Sequence, residues 1–169
     1  MSARIKDPTM TVEGALEGLL KLGAAATHAG VPPTTLELVK LRASQINGCS
    51  VCVDIHSRTL GLLGEANERL FLVGTWREAP YFTDAERAAL ALTEAVTRMA
   101  DHPDAVPDDV WHDAAQRYSE PQLSALLVAL AAINAFNRLK VPTRQPSGKW
   151  VASVAKGEYE RYATVTSAA

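Results

Sequence analysis

Cysteine and aromatic residues are scarce in this chain. Its 169 residues include two cysteines, and aromatic residues make up 6%. Alanine and leucine are abundant instead, and this balance favours helices over sheets. With 47% hydrophobic and 21% charged residues, the chain can bury a core and does not read as disordered. We therefore expect an all-α protein with a single compact domain.

The chain also lacks a strong charge of either sign and a long apolar run. Its net charge is −2, so there is no basic surface for nucleic acid or for an acidic membrane. The longest apolar run, Leu123 to Phe136, contains polar residues and is shorter than a bilayer span, which favours a buried or interface helix. The first ten residues have no signal-peptide core, so the sequence predicts a cytoplasmic protein without a membrane partner.

Almost all of the candidate chemistry lies between Glu37 and His56, in the stretch ELVKLRASQINGCSVCVDIH. An Asn-Gly pair just before Cys49 predicts a turn that separates two helices, with Cys49 at the start of the second. Unsatisfied N–H groups and the helix dipole at that position should lower the pKa of the Cys49 thiol. Cys52 follows one turn later, within reach of a disulfide, and His56 lies four residues beyond Cys52 on the same helix face. Glu37 would approach His56 only if the chain doubles back at this turn.

The periodicity of apolar residues and the turn signals predict about seven helices. We expect a lead over residues 1–10, a helical domain over 11–140, and a tail over 141–169 that is irregular after Pro142 and packs on the domain or on a neighbouring subunit. Pro8 should discourage a helix in the lead. Thr34 is the expected N-cap of the second helix, and Thr83 and Ser119 each open a helix with a capping box. The predicted helices cover residues 11–28, 34–46, 49–64, 65–73, 83–101, 108–118 and 119–140.

The pattern of Glu37, Cys49, Cys52 and His56, led in by LRASQINGC, resembles the AhpD-like alkylhydroperoxidase branch of the carboxymuconolactone decarboxylase superfamily. The resemblance extends to about Arg138. It implies an all-helical homo-oligomer whose cysteine pair reduces peroxides through a sulfenic acid and then a disulfide. It further implies a hydroperoxide substrate and a thiol reductant that the sequence does not identify, with no cofactor and no metal.

Carried over by this resemblance, Cys52 is the peroxide-attacking thiol, Cys49 is the resolving thiol, and Glu37 and His56 form a proton relay. Family members with a second histidine between the cysteines differ from this chain, which has Val51 there. Helix-terminus electrostatics favours Cys49 as the more acidic thiol, whereas proximity to His56 favours Cys52 as the attacker. We follow the second argument, because His56 can act as a specific base.

Other interpretations of the same residues stay open at this stage. Cys49, Cys52 and His56 supply three ligands, whereas structural zinc usually takes four. The thiols could also be inert and buried. For function, the alternatives are a lactone decarboxylase of the same superfamily, which works without this cysteine pair, and a redox-responsive helical oligomer without catalytic activity.

Overall fold

The computed structural model describes residues 2–166, apart from the side chains of residues 101, 165 and 166. Within this range the chain is all-helical and forms one domain, as predicted. The first residue of the predicted lead and the last three of the predicted tail lie outside the described residues. The α-helices are α1 (Pro8–Thr11), α2 (Ala15–Ala25), α3 (Pro33–Ile46), α4 (Ser50–Leu62), α5 (Asn67–Leu72), α6 (Asp84–Thr97), α7 (Asp108–Ala115), α8 (Glu120–Thr143) and α9 (Val151–Thr166). Short 3₁₀ helices span Ala26–His28, Val73–Thr75 and Met99–Asp101.

The N-terminal segment differs from the expectation in two places. Pro8 opens α1 instead of preventing it, because the first position of a helix needs no N–H donor. Asp7 caps this helix by accepting a hydrogen bond from the Thr9 N–H. The helix predicted to start at residue 11 begins at Ala15, since Gly14 takes a left-handed conformation with φ of 75°. The chain therefore enters the bundle through a kink and not through one long helix.

Two of the predicted helix starts, the capping boxes at Thr83 and Ser119, are confirmed. The predicted N-cap at Thr34 is wrong. Thr83 and Ser119 each exchange hydrogen bonds with the residue three positions on, as expected. Thr34 lies inside the first turn of α3, which opens at Pro33 with Pro32 in the N-cap position. Here the fixed φ of proline determines the helix start, and no side-chain cap is used.

The C-terminal segment is the largest correction. It was expected to be irregular after Pro142, but α8 continues through Pro142 to Thr143 and residues 151–166 form a helix. Helix α9 packs along α4, with Val151, Ala155 and Tyr162 buried. The sequence-based prediction failed because the apolar positions of α9 are few and mostly small.

Helix α3 is the centre of the bundle. It packs against α4, α6 and α8, and nine of its 14 residues are buried. Val39 belongs to one apolar cluster with Leu92 and Leu126, while Leu41 belongs to a second cluster on the other side of the helix. A helix that contributes to both clusters cannot shift without disturbing them, so α3 is a rigid support for any polar side chain that it carries.

Helix α8 is, among the described residues, the one helix that is long and apolar enough to span a bilayer by length and composition. It packs against α2 and α3, and half of its most apolar window is buried inside the fold. A core helix of a globular protein passes the same length and composition test, so the apolar character of α8 fits its packing in the bundle.

Candidate active site

The turn at Asn47-Gly48 brings α3 and α4 side by side, as the sequence predicted. Gly48 has φ of 70°, a conformation that glycine adopts without a steric penalty. Cys49 is the N-cap of α4 and Cys52 lies in its first turn. The chain doubles back here, so Glu37 of α3 reaches His56 of α4: their Oε2 and Nδ1 atoms are 2.7 Å apart. The predicted pairing of Glu37 with His56 is therefore present.

Glu37 is fully buried, and three side chains donate hydrogen bonds to it. Its Oε2 accepts from His56, and its Oε1 accepts from the Lys40 ammonium and the Tyr162 hydroxyl, both at 2.7 Å. Burial alone would raise the pKa of this carboxyl, but the positive charges of Lys40 and His56 and the hydrogen bonds that they donate hold it well below its ordinary value. Glu37 is thus ionised at any working pH.

This arrangement fixes the orientation of His56. Because Nδ1 faces the Glu37 carboxylate, the imidazole donates its Nδ1–H and leaves Nε2 as the proton acceptor. His56 is 7% exposed and lines a cavity, which Cys52 lines as well. The contact with Glu37 thus fixes which ring nitrogen of His56 is bonded to the carboxylate and which is not.

The two thiols have different acidities. Both are buried and free in the reduced protein. The hydrogen bond from the Cys52 thiol, helped by the backbone N–H of Cys52 at the start of α4, outweighs burial and lowers the pKa of Cys49 to about 7. The same bond, together with burial and the neighbouring charge of Cys49, raises the pKa of Cys52 well above its ordinary value. The pKa of Cys49 is thus lowered, as the sequence predicted, but the main cause is the Cys52 thiol and the N–H at the helix start contributes less.

The cavity beside Cys52 has a volume of about 530 Å³ and a largely apolar lining. Phe136 of α8 and Trp150 and Val154 at the start of α9 form part of its wall. Cys49 does not line this cavity; it lies beside a separate hollow near Arg144. Of the two sulfurs, Cys52 is therefore the one that a molecule in the apolar cavity would meet.

Lys40 and Tyr162 are site residues that sequence reasoning missed. The Lys40 Nζ donates to both Glu37 Oε1 and the Tyr162 hydroxyl, the latter at 2.9 Å. The spacing of Lys40, one turn after Glu37, was a usable signal. Tyr162 had no comparable signal, because it joins Glu37 across 125 positions of sequence. Asn137 is a third missed residue, and its amide favours the ionised form of each cysteine thiol.

No cluster of metal ligands exists in the part of the chain that the structure describes. The two cysteines are hydrogen-bonded to each other and to Asn137, and His56 is hydrogen-bonded to Glu37. The geometry is that of a thiol pair near a hydrogen-bonded carboxylate and imidazole.

Comparison with known proteins places this site in a family. Residues 13–95, which include the thiol pair and its relay, match the model of the carboxymuconolactone decarboxylase family. The chain belongs to this family. A curated relative, the uncharacterized protein YdfG of Bacillus subtilis, is 30% identical over 141 residues, covering 83% of this chain and 94% of the relative. YnjA of Escherichia coli, also uncharacterized, is 35% identical over 85 residues, which cover 43% of this chain and 47% of YnjA.

Solved structures agree with the fold. A protein of unknown function from Agrobacterium tumefaciens, described there as a candidate antioxidant defence protein AhpD, superposes with a TM-score of 0.80 at 32% identity over 87% of this chain and 99% of its own. The debrominase Bmp8 superposes with a TM-score of 0.68 at 19% identity, over 88% of this chain and 75% of its own. The expected AhpD-like fold is thereby confirmed, and the Bmp8 likeness extends to the fold alone.

Proposed function

We propose that this protein is a thiol-dependent hydroperoxide reductase in which Cys52 attacks the peroxide, Cys49 resolves the product, and Glu37 and His56 move the proton. The observation that carries the proposal is the buried hydrogen bond between Glu37 and His56 beside a cavity that Cys52 also lines. A carboxylate that orients an imidazole next to a thiol is the arrangement of an activated sulfur nucleophile.

In the first step His56 Nε2 takes the proton of the Cys52 thiol. The Cys52 thiolate attacks the distal oxygen of the hydroperoxide, so that a sulfur-oxygen bond forms and the oxygen-oxygen bond breaks. The sulfur is oxidised to a sulfenic acid, and the alkoxide that leaves takes the proton back from His56 and departs as an alcohol. A relay is needed here because the raised pKa of Cys52 leaves little thiolate at neutral pH.

In the second step the Cys49 thiolate attacks the sulfur of the Cys52 sulfenic acid. The sulfur-oxygen bond breaks, and hydroxide leaves with a proton as water while the disulfide forms. In the reduced protein the Cys49 sulfur accepts a hydrogen bond from the Cys52 thiol, so it lies within reach of a sulfenic acid formed on Cys52. The position of Cys49 and the cavity contact of Cys52 thus fit two different tasks.

The substrate we propose is an organic hydroperoxide of modest size. The cavity volume of about 530 Å³ and its apolar lining favour a hydrocarbon substituent over a highly charged one. The reductant that reopens the disulfide is a small thiol or a thiol protein. We further propose that the protein works in the cytoplasm as a homo-oligomer, without nucleic acid or membrane as a partner.

The test is stopped-flow consumption of cumene hydroperoxide by the fully reduced protein, with free thiols counted before and after. Loss of about two thiols per chain for each peroxide consumed is expected. Cys52→Ser should lower the rate at least roughly 100-fold, whereas Cys49→Ser should still consume one peroxide and accumulate a sulfenic acid that a dimedone probe traps. Unchanged thiols in the wild type would overturn the proposal, and trapping at Cys49 in Cys52→Ser at the wild-type rate would reverse the two roles.

Two alternative functions would give different results when the same purified protein is assayed. A lactone decarboxylase would release carbon dioxide from its lactone and would keep its activity in Cys52→Ser. A redox-responsive oligomer would change its size on oxidation, as measured by light scattering, without consuming peroxide catalytically.

A further inference from the structure

The Lys40 ammonium has one hydrogen-bond donor to spare. It carries three N–H groups. One is donated to Glu37 Oε1 at 2.7 Å and one to the Tyr162 hydroxyl at 2.9 Å. The next acceptor, Glu158 Oε2, lies 4.0 Å away, which is beyond hydrogen-bond distance. Among the described residues, the third N–H thus has no acceptor at hydrogen-bond distance.

This ammonium is buried yet lines the apolar cavity. Lys40 is 7% exposed, and it lines the cavity together with Cys52 and His56. Burial alone would lower the pKa of Lys40, but the Glu37 carboxylate raises it above its ordinary value, so the group stays charged. A positive charge that is shielded from water and held by fixed partners acts more strongly on a nearby anion than a solvated one does.

We propose that Lys40 is a further catalytic residue, whose third N–H donates a hydrogen bond to the leaving oxygen of the hydroperoxide. This inference rests on the proposed function. As Cys52 forms the sulfur-oxygen bond, the electron pair of the breaking oxygen-oxygen bond moves onto the leaving oxygen. Lys40 stabilises that developing negative charge and keeps its own proton, while His56 supplies the proton that turns the alkoxide into alcohol.

The other cationic side chains that line the cavity are less suited to this task. Lys140, like Lys40, donates to two partners, but these are the Asp7 carboxylate and the Thr9 hydroxyl and not the carboxylate that orients His56. Arg161 is paired with Glu158 at 2.8 Å and its side chain is one-third exposed, so solvent screens its charge. Lys40 alone among the three also contacts Glu37, the residue that orients the base.

The experiment compares peroxides whose leaving groups differ in basicity. Peracetic acid releases a weakly basic carboxylate, while tert-butyl hydroperoxide releases a strongly basic alkoxide that needs more stabilisation. Single-turnover oxidation of the reduced protein would be measured for both peroxides in the wild type, Lys40→Gln and Lys40→Arg. Glutamine still offers Glu37 an N–H donor, and arginine keeps the charge, so each substitution removes a different property.

With tert-butyl hydroperoxide, the rate of Lys40→Gln is expected to fall roughly 100-fold below that of the wild type. With peracetic acid, it should fall by about tenfold or less. Lys40→Arg should fall between Lys40→Gln and the wild type, because its charge remains but its donor is displaced. A purely structural role would lower both rates by the same factor.

Equal losses for the two peroxides would overturn the assignment of Lys40 and leave the proposed function standing. A wild type that oxidises with neither peroxide would overturn both. Circular dichroism and thermal melting establish whether each variant folds. If Lys40→Gln does not fold, the ratio of the two rates in Lys40→Arg decides, and a ratio identical to that of the wild type would refute the proposal.

Discussion

Two buried glutamates of this protein, Glu37 and Glu94, accept hydrogen bonds from different kinds of side chain. Glu94 accepts hydrogen bonds from Arg42, Trp76 and Arg77 at 2.6 to 3.0 Å, and it does not line the apolar cavity. Glu37 instead receives hydrogen bonds from a histidine, a lysine and a tyrosine next to that cavity. Arginine stays charged at any working pH, whereas an imidazole can exchange a proton near neutrality.

The difference separates a structural ion cluster from a candidate catalytic relay. Both carboxylates have a lowered pKa, although burial alone would raise it, because charged partners and hydrogen bonds overcome the loss of hydration. A perturbed pKa therefore does not distinguish them. What distinguishes Glu37 is that one of its partners is a histidine, and that this histidine lines the same cavity as the Cys52 thiol.

The sharpest test of this comparison replaces each glutamate by glutamine. Glu37→Gln should lower the rate of peroxide reduction about 100-fold, because neutral glutamine no longer stabilises the His56 imidazolium that forms during proton transfer. Glu94→Gln is the matched control, and its rate per folded molecule should stay within about twofold of the wild type. The rates would be measured by stopped flow at equal concentrations of folded protein. Equal losses in both variants would contradict the distinction.

The same control variant should be the less stable protein. Glu94→Gln leaves Arg42 and Arg77 beside a neutral side chain, so we expect a loss of about 3 kcal/mol in the free energy of unfolding. Urea denaturation followed by circular dichroism measures it. A change below about 0.5 kcal/mol would mean that the cluster contributes little to stability.

A smaller effect is expected for Tyr162, which reaches Glu37 from α9. Tyr162→Phe removes the hydrogen bond to Glu37 and the one accepted from Lys40, and it should lower the rate about fivefold, with the peroxide KM unchanged. Tyr159→Phe is the matched control, since Tyr159 is an exposed tyrosine on the same helix. Because the lost hydrogen bond weakens the hold on Glu37 and His56, the pH profile of Tyr162→Phe should also shift, which a loss of packing alone would not cause. A profile that matches the wild type would contradict the positioning role of Tyr162.

The last prediction concerns the pH dependence of stability. The pKa of Glu94 is lowered from 4.5 to about 2, so its contribution to stability is complete above about pH 4.5 and is lost as the pH falls toward 2. Melting temperatures of the wild type and Glu94→Gln should therefore converge over this interval. If the melting temperatures of the two proteins differ by the same amount from pH 6 to pH 2, Glu94 does not contribute to the pH dependence of stability.

Local patterns made part of this molecule predictable. The two capping boxes, the Asn-Gly turn and the position of Cys49 at a helix start depend on residues within four positions of one another. The pairing of Glu37 with His56 was also predictable, because a single turn joins the two helices that carry them. The failures at Pro8, Thr34 and α9 arose where a fixed proline φ or tertiary packing outweighed the local pattern.

The sequence by itself determined the all-helical class, which follows from composition, and the thiol pair with its nearby Glu37 and His56, whose spacing within a short stretch carries the family resemblance. Only the tertiary structure decided that α9 folds onto α4, that Tyr162 reaches the Glu37 carboxylate, and that Cys52, and not Cys49, lines the apolar cavity. The physical reason is that such contacts join residues that are distant in sequence. They form when burial of apolar surface brings the helices together, and no local spacing encodes them.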